Sequence, residues 1–149
     1  MPVRASERPY RPAPDVLLLA GAVVALLGYL LPWFKVSDGN RWWYSGWNYL
    51  TFSTGGGWTW WTVVFLLVAI AASCWAGRVV ELALVAAGAG TAAMFFAAAV
   101  VAVSLGAMPE RSSSNWVGEL PFGIGLPLMA LGFGTIAAGA LAATRRGRS

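Results

Sequence analysis

Apolar side chains along the chain form four long blocks, which are separated by shorter segments richer in polar and charged residues. Each block is close to or above the roughly 20 mostly apolar residues that a helix needs to cross a bilayer. None of the blocks carries polar positions at helical spacing, as the surface helix of a soluble protein would. The pattern therefore predicts four transmembrane helices, over residues 15–34, 58–76, 79–108 and 120–144.

The four blocks also predict the fold class and the domain organisation. We expect an all-α membrane protein, in which a four-helix transmembrane bundle forms a single domain over residues 15–144. A tail of residues 1–14 precedes the bundle, and a basic tail of residues 145–149 follows it. Residues 35–57 and 109–119 form the two loops on the opposite side. The first block ends in Pro-Trp-Phe-Lys without a small-residue cleavage site, so we expect an uncleaved span rather than a signal peptide.

Single residues mark some of the expected helix ends. Asp15 favours the N-terminus of the first helix, where a carboxylate meets the positive end of the helix dipole. Pro121 suits the first turn of the fourth helix, which is a favoured position for proline. Pro127 lies deeper in the same block, and we expect it to kink that helix.

Composition agrees with a membrane location and narrows the range of partners. The chain is 58% hydrophobic and 11% charged, whereas soluble domains carry about 25% charged residues. The net charge of +4 comes from residues at the two ends and between the apolar blocks. Since no basic face is formed, we expect no binding to nucleic acid. The partners expected are the lipid bilayer and either another membrane protein or further copies of this chain.

The distribution of basic residues predicts the orientation. Four spans place both termini on one side of the membrane, and the other side then carries Lys35, Arg41 and Arg111. Basic residues favour the cytoplasmic side. We therefore expect a multi-pass protein of the cell membrane with both termini in the cytoplasm. The basic residues on the cytoplasmic side would be Arg4, Arg8, Arg11, Arg78, Arg145, Arg146 and Arg148.

Polar and small residues inside the blocks are assigned to helix packing. Hydroxyl groups there are expected to bond to carbonyls of their own or a neighbouring helix; they belong to Thr62, Ser73, Thr91, Ser104 and Thr135. Small residues four apart allow helices to approach closely, within this bundle or towards a partner. These pairs are Gly21 and Ala25, Ala86 and Gly90, Gly134 and Ala138, and Thr135 and Gly139.

The sequence carries no constellation typical of catalysis. Histidine is absent, and the single cysteine, Cys74, lies within a predicted span. Motifs such as CxxC, HExxH, the phosphate-binding loop and GxSxG are missing. The loop carboxylates Asp38, Glu110 and Glu119 are interpreted as solvated charges. We therefore expect a protein that is not an enzyme and that uses no cofactor or metal.

The loop between the first two blocks has an unusual density of aromatic residues. Seven of the nine tryptophans lie between Leu31 and Trp61. Asp38-Gly39 is a hairpin turn signal, which favours a short extracellular β-hairpin of Lys35–Asp38 against Arg41–Tyr44. The tryptophans that flank the spans are assigned to an aromatic belt at the membrane interface; they are Trp33, Trp58, Trp60 and Trp61.

Aromatic residues farther inside this loop form the candidate site. Three interpretations stay open for them: an interfacial belt, a surface for a protein partner, and a platform for a lipid, glycan or cationic ligand. Arg41 is included because its guanidinium can stack on an indole or pair with a phosphate. The candidate partner or ligand surface is formed by Arg41, Trp42, Trp43, Tyr44 and Trp47.

The segments Leu31–Phe34 (LPWF) and Ser45–Leu50 (SGW and a following Leu) resemble those of small bacterial four-helix membrane proteins, actinobacterial ones in particular. In these proteins a Leu-Pro-Trp closes the first helix and a Gly-Trp follows in the first outer loop. The layout is also faintly similar to claudin-like tetraspan proteins. In those proteins, a Gly-Leu-Trp and a cysteine pair mark the first outer loop. Here Gly46 and Trp47 are adjacent without the intervening leucine, and the loop has no cysteine pair. Neither resemblance implies an activity.

Together these features predict a non-enzymatic role. We expect an accessory or interaction protein of a bacterial cell envelope, which binds a partner through its first outer loop and its helix faces. The alternative is a small pore-forming or lipid- or solute-handling protein, holin-like or passive in transport.

Overall fold

A computed structural model of the chain describes residues 13–34, 45–47, 59–106 and 122–146. Among these residues the chain forms four helices, as the apolar blocks predict. They are α1 (Val16–Leu30), α2 (Thr59–Ser73), α3 (Val80–Gly106) and α4 (Gly125–Arg146). By length and composition, α3 and α4 are each able to cross a membrane, whereas α1 and α2 are apolar but shorter.

The first apolar block is divided between a helix and an extended segment. At 1.5 Å per residue, the 15 residues of α1 span about 22 Å. The chain leaves the helix at Leu31, whose backbone is extended (φ −82°, ψ 159°), because a residue that precedes proline is disfavoured in the helical region. Residues 31–34 continue beyond the helix and bring the carbonyls of Pro32 and Trp33 within reach of the segment that precedes α4.

The fourth helix begins at Gly125, later than the sequence pattern suggests. Phe122 instead pairs with Phe34 in an isolated β-bridge. Pro127 is consequently the third residue of α4. The first N–H groups of a helix have no intrahelical partner, so proline breaks no helical hydrogen bond there. The physical basis of the expected kink is therefore absent, and Pro127 belongs to the first turn.

Helices α1 and α4 run antiparallel and make the most extensive contact of the bundle, followed by α2 and α3. Their backbones approach closely at glycines spaced by seven residues. A Cβ atom on Gly132 would lie 2.4 Å from the backbone nitrogen of Ala25, and one on Gly28 would lie 2.6 Å from that of Met129. Residues seven apart lie on the same face of a helix, so they can all face a neighbouring helix that crosses at a small angle. The glycines concerned are Gly21 and Gly28 on α1, and Gly125, Gly132 and Gly139 on α4.

Some of the small-residue pairs predicted to pack are buried in the bundle, and one pair is exposed. Gly21 and Ala25 are buried between α1 and α4. Ala86 and Gly90 are buried as well, so packing inside the bundle is correct for both pairs. Gly134 and Ala138 are exposed, and no atom of the described residues lies within 4 Å of a Cβ built on Gly134. That pair therefore faces away from the described part of the bundle.

Side chains of different size divide between the interior and the surface of the bundle. The interior is rich in alanine and glycine, and many large apolar side chains point outwards, although Tyr29 and Trp33 are fully buried. Phe95 is 69% exposed and Val103 is 73% exposed. Close packing through small residues is typical of helices in lipid, and contiguous apolar surface is rare on soluble monomers. The exposed large apolar residues of the helices also include Val16, Leu17, Leu27, Leu67, Leu84, Val85, Met94, Leu131 and Leu141.

All charged side chains among the described residues lie at one end of the bundle, which we call the charged end; they are Asp15, Arg78, Glu81, Arg145 and Arg146. Asp15 caps α1 as expected, since its Oδ1 accepts hydrogen bonds from the N–H groups of Leu17 and Leu18 at 3.1 and 3.2 Å. Its Oδ2 accepts from Arg146, the last residue of α4. The start of α1 and the end of α4 are thus held together.

Removing the Asp15 carboxylate is expected to lower stability mainly through loss of the helix cap. Asp15→Ala should lower the free energy of unfolding by about 1–2 kcal/mol. Asp15→Asn keeps a cap acceptor and should cost less than about 1 kcal/mol, because the Arg146 side chain is 59% exposed and the ion pair is screened. Thermal unfolding in detergent measures both. Equal losses for the two variants would contradict the dominance of the cap.

Candidate functional site at the aromatic end

Tyr29 and Trp33 form the core of the opposite end, which we call the aromatic end. Both side chains are fully buried, and their rings pack edge to face with centroids 5.8 Å apart. Because the chain is extended after Leu31, the Trp33 indole folds back over the last turn of α1. Its Nε1 donates to the carbonyl of Gly28 at 3.2 Å. The end of a helix leaves such carbonyls without intrahelical partners, so the indole completes the end of α1.

The burial of Trp33 corrects its assignment to an interfacial belt. Its exposed fraction is 0%, so its indole is a core side chain that contacts neither water nor lipid. Trp60 and Trp61 at the start of α2 are 53% and 51% exposed, which agrees with the belt assignment. Trp58 lies outside the described residues. The belt assignment therefore stays a prediction for Trp60 and Trp61 and is wrong for Trp33.

The first outer loop is fixed to this aromatic core through Ser45 and Gly46. Ser45 pairs with Pro32 in an isolated β-bridge. Tyr29 donates its hydroxyl hydrogen to the Gly46 carbonyl at 2.8 Å, and the Thr59 carbonyl lies 3.2 Å from the same oxygen. A Cβ on Gly46 would lie 2.3 Å from Cε2 of Tyr29. Only glycine therefore allows the loop backbone to lie against the Tyr29 ring.

The segment that precedes α4 is held at the same place. Gly123 donates its N–H to the Trp33 carbonyl at 2.7 Å, and Gly125 donates to the Pro32 carbonyl at 2.9 Å. The extended residues 31–34 thus bind Ser45 through one strand-like contact and Phe122 through another. The two sequence motifs LPWF and SGW are therefore parts of one structural unit, which also anchors the start of α4.

Loss of the Tyr29 hydroxyl is expected to weaken this anchor. Tyr29→Phe removes the hydrogen bond to Gly46 and leaves that carbonyl buried without its partner, which typically costs about 1–2 kcal/mol. The ring remains, so the packing against Trp33 is kept. Thermal unfolding in detergent should show the loss. An unchanged midpoint would contradict a structural role of this hydrogen bond.

Of the five residues in the candidate surface, Trp47 is the one that lies among the described residues. Its side chain is 52% exposed, although the preceding residues Ser45 and Gly46 are buried. Trp47 is therefore presented at the surface from a fixed backbone. The other four residues, Arg41, Trp42, Trp43 and Tyr44, lie outside the described residues, as does the expected β-hairpin of 35–38 against 41–44.

Most of the described hydroxyl groups bond within their own helix, as expected. Ser73, Thr91 and Thr135 each donate to the carbonyl four residues earlier, at 2.7, 2.9 and 2.8 Å. Thr62 differs, because its Oγ1 is buried and has no hydrogen-bond partner among the described residues. The expected helix bond is therefore wrong for Thr62. The side chain of Ser104 is not among those described.

Replacing Thr62 by an isosteric apolar residue is expected to stabilise the bundle. Thr62→Val removes a buried hydroxyl that has no partner in the described part of the chain, which should raise the free energy of unfolding by about 1 kcal/mol. The matched control is Thr91→Val, which removes a hydroxyl that is exposed and bonded. Thermal unfolding of both variants in detergent gives the comparison. A loss of stability in Thr62→Val would show that the hydroxyl has a partner, such as a bound water.

Metal-binding and redox groups are sparse in the described segments. Those segments contain no cluster of three or more His, Cys, Asp or Glu side chains. Cys74 is a half-buried free thiol in the turn after α2.

The contacts among Tyr29, Trp33 and Gly46 were not expected from the sequence. Nothing in the spacing of these residues shows that a glycine of the first outer loop packs on a tyrosine of α1.

Comparison of the chain with protein-family models, with curated proteins and with solved structures gives no match. The resemblance of the LPWF and SGW segments to small bacterial four-helix membrane proteins therefore stays an expectation. The function has to be inferred from the arrangement of side chains at the aromatic end and on the helix surfaces.

Proposed function

We propose that this chain is a multi-pass integral membrane protein of a bacterial cell envelope, with both termini in the cytoplasm. The observation that carries this proposal is the distribution of side chains by size and polarity. Many large apolar residues lie on the outside of the helices, and alanine is the most frequent residue among the buried hydrophobic side chains. In water such a surface would aggregate, whereas in a bilayer it contacts lipid tails at no cost.

The lengths of α1 and α2 are compatible with this proposal. A helix of 15 residues spans about 22 Å and is shorter than the roughly 30 Å hydrocarbon core. On the α1 side, the extended residues 31–34 add chain length, and the carbonyls of Pro32 and Trp33 accept hydrogen bonds from Gly125 and Gly123. Non-helical backbone at membrane depth is tolerated where protein groups satisfy it. The charged end, which carries Arg78, Arg145 and Arg146, is assigned to the cytoplasm.

We propose further that the protein is a non-enzymatic accessory protein, which binds a membrane-protein partner at the aromatic end. The support is the presentation of Trp47, an exposed indole next to a backbone that is fixed by Tyr29 and Trp33. Tryptophan is enriched among the residues that dominate protein interfaces. A side chain on a preorganised backbone loses less conformational entropy when it binds.

Site-specific photocrosslinking tests the partner surface against the interfacial belt. A benzophenone amino acid replaces Trp47 in one variant and Trp61, the matched exposed control, in another. In intact cells, position 47 is expected to give a protein adduct of defined mass, whereas position 61 gives lipid adducts. Lipid adducts at both positions would contradict the partner surface and assign Trp47 to the belt.

A lipid-handling role is the second candidate function, and one observation favours it over a pore. A groove between α3 and α4 is open on the side of the bundle and is lined mainly by apolar side chains. Lateral openings of this kind give access to lipid, whereas a pore requires a polar path along the bundle axis.

A further inference from the structure

The groove between α3 and α4 has a shape and a position that select one class of occupant. Its volume is about 390 Å³. Its floor is formed at Gly90 and Ile136, where a Cβ on the glycine would lie 2.9 Å from the isoleucine side chain. Its walls include the exposed residues Met94, Ala137 and Leu141. The groove is deep at Gly90 because glycine has no side chain to fill it. The apolar walls exclude a polar ligand from most of the length of the groove.

The α4 wall of the groove, which extends beyond the α3 wall of Ala87–Met94, is about as long as one leaflet of a bilayer. On α4 its lining runs from Phe133 to Thr144, which is about 16 Å along the helix at 1.5 Å per residue. Half of a hydrocarbon core that is roughly 30 Å thick is about 15 Å. Since Thr144 is adjacent to the last residues of α4, the groove lies in the half of the bundle next to the charged end.

Charge at the open end of the groove indicates the headgroup. Arg145 is exposed and lies four residues after the wall residue Leu141, so both are on the same side of α4. Arg146 is engaged by Asp15, whose carboxylate it neutralises. Glu81, in the first turn of α3, is the remaining carboxylate among the described residues at this end. The guanidinium of Arg145 can donate two hydrogen bonds to a phosphate, so an anionic headgroup would be bound at the end of α4.

We infer that the α3–α4 groove binds one acyl chain of an anionic phospholipid of the cytoplasmic leaflet, with the headgroup phosphate at Arg145. This inference rests on the proposed membrane location and orientation. The acyl chain fills the apolar groove from Thr144 towards Phe133. The phosphate then lies where the helix ends and cationic side chains reach the interface.

Two neighbouring alanines of α4 provide a matched test. Ala137 lines the groove and Ala138 is exposed outside the lining. The full chain is solubilised in dodecyl maltoside, stripped of lipid and titrated with dioleoyl phosphatidylglycerol. Native mass spectrometry counts the lipids bound per chain, and dioleoyl phosphatidylcholine is the comparison without net headgroup charge. Ala137→Phe fills the groove, whereas Ala138→Phe adds the same ring elsewhere on the helix.

We expect the unmodified chain to bind one phosphatidylglycerol more tightly than any phosphatidylcholine. Ala137→Phe should weaken that binding by about tenfold or more, and Ala138→Phe should leave it within about twofold. Arg145→Gln should reduce the affinity for phosphatidylglycerol towards that for phosphatidylcholine and leave the latter unchanged. Ala137→Phe is expected to keep its thermal midpoint in detergent, because residue 137 is exposed.

Three results would overturn the inference. Equal phosphatidylglycerol binding by the two phenylalanine variants would mean that the lipid is not in the groove. Equal affinity of the unmodified chain for the two lipids would remove the role of Arg145. A dimer that becomes a monomer in Ala137→Phe, with lipid binding unchanged, would assign the groove to a second copy of the chain. The membrane location itself is tested separately by carbonate extraction, where release of the chain from the pellet would contradict it.

Discussion

Gly132→Ala is expected to disrupt the bundle, although it adds a single methyl group. The added Cβ would lie 2.4 Å from the backbone nitrogen of Ala25 and 2.7 Å from its Cα, so it meets backbone rather than a side chain that can rotate away. Helices α1 and α4 must then move apart along their whole contact. Overpacking of this kind costs typically 1–3 kcal/mol, and we expect a loss of about 3 kcal/mol or failure to accumulate.

Gly134→Ala is the matched control, since it lies two residues away on the same helix. In the described segments, no atom lies within 4 Å of a Cβ built there. Alanine favours a helix over glycine by up to about 1 kcal/mol, so this variant should be unchanged or slightly more stable. Thermal unfolding in detergent and accumulation in membranes measure both variants. Equal behaviour of the two would show that α1 and α4 do not touch through their backbones.

Trp33→Ala is expected to have the second large effect. The indole is fully buried, packs edge to face on Tyr29 and donates to the Gly28 carbonyl. Its removal leaves a cavity and an unpaired carbonyl, and truncation of a buried aromatic residue costs about 3–5 kcal/mol. The loss should extend to the contacts of Gly46, because the Trp33 ring is one of the surfaces against which that glycine packs.

Trp60→Ala provides the comparison for a tryptophan with an exposed ring. Since 53% of Trp60 is exposed, its truncation should lower the free energy of unfolding by less than about 1 kcal/mol. Unfolding midpoints in detergent measure the two variants. A large loss for Trp60→Ala together with a small one for Trp33→Ala would reverse the assignment of core and belt at the aromatic end.

The number and order of the helices could be predicted from the sequence, because long apolar blocks without polar faces allow few other structures. Helix ends could be predicted where one side chain supplies a local bond, as Asp15 does for α1. They could not be predicted where a distant segment supplies the bonds. The extended residues 31–34 and the later start of α4 depend on each other across most of the chain.

Burial could not be predicted in the same way. In soluble helices a polar face marks the surface, but these helices are apolar on all sides, so the pattern does not separate Trp33 from Trp61. Pairs of small residues four apart predicted the contact between α1 and α4 only in part. Gly134 faces outwards, whereas Gly132 lies where the backbones of α1 and α4 are in close contact. The seven-residue spacing of Gly125, Gly132 and Gly139 was the more informative signal.

For the candidate site, the sequence predicted a surface that includes Trp47, and it did not predict which residues hold the adjacent Gly46. The exposed Trp47 agrees with a surface role, whereas its anchor on Tyr29 follows from contacts between residues far apart in sequence. Arg41, Trp42, Trp43 and Tyr44 stay predictions.

Cysteine accessibility tests the central claim, a four-span membrane protein with cytoplasmic termini, most directly. Cys74 is the only cysteine, so Cys74→Ser gives a background for single substitutions at Ser6 and Ser149 in the tails and at Ser37 and Ser113 in the loops. A membrane-impermeant maleimide is expected to label positions 37 and 113 in intact cells, and positions 6 and 149 only after the membrane is disrupted. Labelling of the tails in intact cells, or of all four positions in a soluble fraction, would contradict it.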